Sequence, residues 1–151
     1  MLTLILPSQP GTGQYIQILA TDPQAKILLA GDMSVNPGIW VRHALATGPA
    51  AFGKYATVAL ERWSFQQMMD KWCEITGKRG MVVRIEEEVW TKFWGPAGTE
   101  LAWQFRFGEI CDPWAVRDGE FISPEELGID AAEVVGFEGT IRGLNNRHMF
   151  D

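Results

Sequence analysis

Residues 64–77, S-F-Q-Q-M-M-D-K-W-C-E-I-T-G, carry the signals for both ends of one helix and constrain the fold more than any other stretch. Ser64 is a preferred N-cap, and Gln67 supplies the reciprocal half of a capping box. Gly77 offers the left-handed residue at which helices commonly stop. Between them, Phe65, Met68, Met69, Trp72, Cys73 and Ile75 form the side that must be buried. Residues 55–60 before this helix alternate as a half-buried strand does, and residues 81–85 after it read as a further strand. A helix bracketed by strands needs a sheet to lie on. The expected class is α+β, a small mixed sheet with several short helices.

The remaining signals fit that plan. Residues 2–6 read as a strand and 7–13 as a turn. The β-like runs 15–20 and 26–30 flank Thr21-Asp22-Pro23-Gln24 and are expected to pair as a hairpin. Asn36 is expected to cap a helix with Pro37 at its first position and Gly48-Pro49 at its end. Ile39, Trp40, His43, Ala44 and Thr47 would face inward. Glu86 to Glu88 would open a short helix, Thr99 another that runs to about Ile110, and Ser123-Pro124-Glu125-Glu126-Leu127 a single turn of helix. The 151 residues are read as one domain, with a β-rich segment 1–31, a main region 32–143 and a flexible polar tail 144–151.

Composition narrows the partners. Seven tryptophans and eight phenylalanines require a dense core or an apolar surface that something covers. A net charge of -6 argues against a nucleic-acid partner, since nothing would neutralise a row of phosphates. Cys73 and Cys111 have no C-x-x-C spacing and read as reduced thiols. The apolar start is too short for a signal peptide, and no apolar run approaches the ~20 residues of a membrane span. A cytoplasmic protein without membrane contact is expected.

Three blocks point to a family: N-P-G-I-W-V-R-H-A-L, G-K-Y-A-T-V-A-L-E-R-W-S-F-Q-Q-M-M-D-K-W-C-E-I-T-G-K, and E-E-E-V-W-T-K-F-W-G. In this order they resemble the C-terminal, substrate-side half of the NmrA-like family, atypical relatives of the short-chain dehydrogenases. The resemblance spans roughly residues 32–143. Residues 15–30 depart from it, being longer and more β-like than the family's lead-in. It implies a chain that keeps the ligand-selecting part and lacks the dinucleotide-binding half, so no redox cofactor is expected. It also places Glu61 and Arg62 near a substrate cleft.

The residues themselves carry no catalytic signature. Gly11-Thr12-Gly13 lacks the third glycine and following helix of a dinucleotide-binding turn. Two distant histidines and two unpaired cysteines make no metal site. His43 on its helix is a candidate general base or a buried, hydrogen-bonded histidine, and His148 is a solvated tail residue. Aromatic residues crowd residues 90–114. Trp90, Trp94, Trp103, Phe107 and Trp114 would wall a flat ligand, with Arg106 as oxyanion stabiliser and Glu109 or Asp112 as acid or base, its pKa raised against indole. The same residues suit an interface, where aromatics and arginine are enriched. Asp32 is a turn former or a cleft carboxylate, and Glu86 to Glu88 a helix-start charge run.

Two functions follow as expectations. One is a cofactor-independent acid–base isomerase, dehydratase or cyclase acting on a small apolar metabolite, which the resemblance implies to be a polyketide-like compound of secondary metabolism. The other is a non-catalytic ligand-binding or regulatory module. Both imply a small-molecule ligand or a partner, and a homodimer as the default closure of an apolar face.

Overall fold

The computed structural model describes residues 5–7, 13–110 and 120–147. It is an α+β protein with four helices and three small sheets among these residues. They fall into two compact units, residues 5–27 with 62–110 and residues 28–61 with 120–147.

The first unit is built on a three-stranded sheet. Strand β2 (Gln14–Leu19) runs antiparallel to β1 (Ile5–Pro7) and parallel to β6 (Arg79–Arg84), with Gln14 opposite Arg79 and Leu19 opposite Arg84. Helix α2 (Phe65–Thr76) feeds into β6 and packs on it. Its ends are those the sequence signals. Gln67 N–H donates to Ser64 Oγ at 3.1 Å, Ser64 N–H donates to Gln67 Oε1 at 2.8 Å, and Gly77 ends the helix with φ 68°. Phe65, Met68, Met69 and Trp72 are buried, while Cys73 and Ile75 are half-buried. Each fully buried large side chain stabilises the fold by about 1.5–3 kcal/mol. Trp72 meets Tyr15 edge-on at 5.0 Å, and Phe65 meets Phe105 at 5.1 Å.

The expected hairpin of residues 15–20 with 26–30 does not form. Both edges of β2 are taken, and β3 (Lys26–Leu29) pairs with β5 (Glu61–Ser64) instead. The turn between β2 and β3 exists, closed by Ala25 N–H on Asp22 O. Its outward groups are used elsewhere: Pro23 O accepts from Gln66 N–H and Asp22 N–H donates to Glu109. The strands therefore part.

Helix α3 (Glu87–Ile110) joins the two helices expected near Glu87 and Thr99. It breaks at Gly95, whose φ of 63° and ψ of -155° suit glycine alone, and Pro96 follows without needing an N–H. The second arm thus starts before Thr99 and folds back along the first. Trp90 Nε1–H donates to Gly98 O at 2.7 Å, and the Thr91 and Thr99 hydroxyls meet at 3.0 Å. Trp90, Ala20 and Ala102 form the core beneath this helical hairpin.

The second unit packs α1 (Asn36–Thr47), a 3-10 turn (Gly48–Ala51) and α4 (Phe137–Asn146) with a two-residue parallel pair, β4 (Tyr55–Ala56) on β7 (Phe121–Ile122). Trp40, Ile122 and Leu127 centre its core. Four expectations are corrected here. Val35, not Asn36, is the N-cap of α1. Of residues 55–60 only Tyr55 and Ala56 are strand, because an Ala59 N–H to Thr57 O bond closes a tight turn inside the run. Residues 123–127 form turns rather than a helix; Ser123 and Glu126 exchange hydrogen bonds of 2.8 and 3.1 Å, but the turns end at Gly128 without a helix. Leu144 to Asn146 belong to α4 and not to a tail. Gly139 and Gly143 hid that helix, each lowering helix propensity by about 1 kcal/mol.

Candidate functional site

The outer side of α3 is the most distinctive surface. Trp90 and Phe105 point inward, with relative exposures of 0% and 5%. Phe93, Trp94, Trp103, Phe107 and Ile110 point outward, at 71%, 44%, 62%, 54% and 75%. Trp103, Phe107 and Ile110 are spaced so that one helical face presents all three. Trp94 leans on Trp90 at 5.7 Å, so the buried ring supports the exposed one. The expected wall is thus divided: Trp90 is core, while Trp94, Trp103 and Phe107 are surface. Trp114, Asp112, Cys111, His148 and the turn at Gly11 lie outside the described residues, although Gly13 itself is described.

The charges on this face are paired. Glu87, on the first arm of α3, accepts from Trp103 Nε1–H and from Arg106 Nη1–H, each at 2.9 Å. The hydrogen bonds from Trp103 and then Arg106 hold the Glu87 carboxyl below its ordinary range. Arg106 is therefore engaged rather than poised for an oxyanion. Glu109 accepts from Thr21 Oγ1–H and, at 2.7 Å, from Asp22 N–H. Burial pushes its carboxyl up, but the Thr21 and Asp22 hydrogen bonds and the charges of Arg84 and Arg106 outweigh that, and its pKa is lowered. The expectation of a raised pKa at Glu109 is reversed, because its surroundings are donors and cations instead of bare indole.

His43 belongs to the second unit. Its Nδ1 lies 3.1 Å from Leu127 O and its Nε2 3.2 Å from Glu133 Oε1, and Arg42 also pairs with Glu133. Both ring nitrogens are thus occupied within the fold. The Asp130 N–H, followed by His43, keeps the Glu133 carboxyl below its ordinary range. Glu61 accepts from Phe137 N–H at 2.7 Å, a carboxylate at the positive end of α4. Gly136 leaves the room for it, since a Cβ there would sit 2.9 Å from Glu61 Oε1. Arg62, next along β5, is exposed. Asp32 forms a turn, accepting from Ser34 N–H at 2.8 Å and Ser34 Oγ–H at 2.6 Å, and these bonds lower its pKa.

A feature missed in the sequence is a shallow groove of about 290 Å³ along α2, lined by Trp63, Gln67, Asp70, Lys71 and Glu74. The signal was present in the polar stripe 67, 70, 71 and 74 opposite the apolar side. Lys71 pairs with Glu74 across it at 2.6 Å. Among the described residues, no group of three or more His, Cys, Asp or Glu could hold a metal ion, and no helix is long and apolar enough to cross a membrane. Comparison with protein families, curated proteins and solved structures finds no match.

Proposed function

We propose that this chain is a non-catalytic interaction module, related to the substrate-side region of NmrA-like proteins, whose recognition surface is the outer side of α3. A second copy closes that surface in a symmetric dimer. What supports the reading is the exposure of Phe93, Trp94, Trp103, Phe107 and Ile110 on one helical hairpin. Apolar patches of this kind are costly in water and mark interaction sites. Aromatic side chains and arginine are the residues that dominate such contacts. Two-fold closure is the commonest way for one chain to cover its own patch.

The acid–base alternative, an isomerase, dehydratase or cyclase acting on a polyketide-like metabolite, requires a carboxylate or imidazole turned toward a ligand. Of its candidates among the described residues, Glu109 is turned toward the Thr21-Asp22 turn and His43 is held at both nitrogens, while Asp112 lies outside them. The interaction reading is the better supported.

Sedimentation velocity at micromolar concentration tests it, on the wild type and on Trp103→Ala/Phe107→Ala. The wild type is expected to sediment as a dimer and the variant as a monomer with unchanged far-UV circular dichroism. A monomeric wild type overturns the dimer. If its tryptophan fluorescence then responds to flat aromatic compounds, the face belongs to a small ligand instead.

A further inference from the structure

We infer that His43 is a clasp with two proton states that joins α1 to residues 127–133. Nδ1 keeps a proton on Leu127 O, while Nε2 takes Arg42 as its partner when neutral and Glu133 when charged.

The Leu127 oxygen is a carbonyl and can only accept, so the 3.1 Å approach of Nδ1 requires an N–H there. A neutral imidazole has one N–H, and the bond made at one nitrogen decides the state of the other. Neutral His43 is therefore the Nδ1–H tautomer, with a lone pair at Nε2. That nitrogen stands between neighbours of opposite character. Arg42 Nη2, a donor, lies 3.3 Å away, and Glu133 Oε1, an acceptor, lies 3.2 Å away. Arg42 also donates to Glu133 Oε2, which keeps both groups at the ring. In the neutral form Nε2 accepts from Arg42; without that donor its lone pair would face the carboxylate. In the charged form Nε2–H donates to Glu133, and the guanidinium is no longer needed there. Among the described residues, these are the charged groups in contact with the ring, Arg42 from α1 itself and Glu133 from the facing loop. The Asp130 carboxylate is engaged by Ala132 N–H at 2.8 Å. The His43 side chain is only 19% exposed, so water does not readily replace a lost partner. Histidine side chains change charge between about pH 5 and about pH 8. Across that change the clasp exchanges one bond and keeps the other.

The test is imidazole nitrogen NMR on the full chain with isotope-labelled histidine, His43 being assigned by its loss in His43→Gln. At about pH 8, Nδ1 is expected to carry the proton and Nε2 to give the resonance of an unprotonated ring nitrogen. On acidification to about pH 5, the large movement is expected at Nε2. An Nε2–H tautomer at the alkaline end, or an equal mixture of the two tautomers, overturns the inference. Urea midpoints of Arg42→Ala test the exchange of partners. The midpoint is expected to fall at about pH 8 and to stay near the wild-type value at about pH 5. Glu133→Gln offers Nε2 an amide donor, and in that background the alkaline loss is expected to disappear. A loss equal at both pH values, larger at the acid end, or undiminished in the Glu133→Gln background overturns the inference as well.

Discussion

Asn36 shows how far a side chain's role can lie from its apparent signal. Its amide donates to Ala30 O at 2.7 Å and Val135 O at 2.8 Å, and accepts from Val135 N–H at 3.0 Å. The residue is fully buried. It ties the start of α1 to the segment before α4. Gly31 permits this, because a Cβ there would fall 2.0 Å from the Val135 carbonyl oxygen and its φ of 67° already disfavours other residues. Asn36→Ala would remove the Asn36 partner of two half-buried backbone groups, Ala30 O and Val135 N–H, each at about 1–3 kcal/mol unless water reaches it, while Val135 O keeps the Asp32 N–H. A loss of about 2 kcal/mol in urea unfolding is expected, and a change below about 1 kcal/mol would show that the lock is replaceable. Glu87, Glu109 and Glu61 repeat the lesson. Each carboxylate is taken up by groups distant in sequence within its own unit, Glu87 by Trp103 and Arg106, Glu109 by the Thr21-Asp22 turn, and Glu61 by the start of α4.

Among the helices, α2 is the one whose limits were fully legible. Its cap and its stop lie within the helix and its adjoining residues, so local chemistry suffices. Ser64→Ala removes the acceptor for Gln67 N–H, and Ser64 is only 1% exposed, so water does not readily replace it. The expected cost is about 1 kcal/mol, read as a lower urea midpoint with an unchanged slope. Helix α3 was legible in pieces. The break lies at Gly95-Pro96, and that the arms close into one hairpin depends on Trp90 reaching Gly98. Helix α4 was not seen at all. Its glycines weaken the local preference, and Ile141 buried at 0% shows that packing supplies what propensity lacks.

Across the chain, several carboxylates share one direction of pKa shift. Asp32, Glu87, Glu109 and Glu133 are all held below their ordinary values by donors and cations. A carboxyl with a lowered folded pKa stabilises the protein above its unfolded value and loses that contribution as pH falls through the folded one. The unfolded references are 4.5 for glutamate and 3.8 for aspartate, so stability is expected to be level near neutrality and to decline progressively below about pH 4.5. Urea midpoints measured from pH 7 to pH 3 check this. A midpoint that stays flat or rises on acidification would show that these bonds do not survive in solution.

The α+β class, the capped helix α2 and the aromatic richness of residues 90–107 were readable from residue order. Capping, turn chemistry and hydrophobic period act over only a few positions. Which aromatics are core and which are surface was not readable. Trp90 and Trp94 stand four positions apart, yet one is sealed against Ala20 and Ala102 and the other faces water. The chemistry of the carboxylates was equally hidden. The partners of Glu109, Glu61 and Asn36 lie 88, 76 and 99 positions away at the most distant bonds described. A hydrogen bond or ion pair is set by distance in space, and only the folded chain brings such positions within about 3 Å of each other.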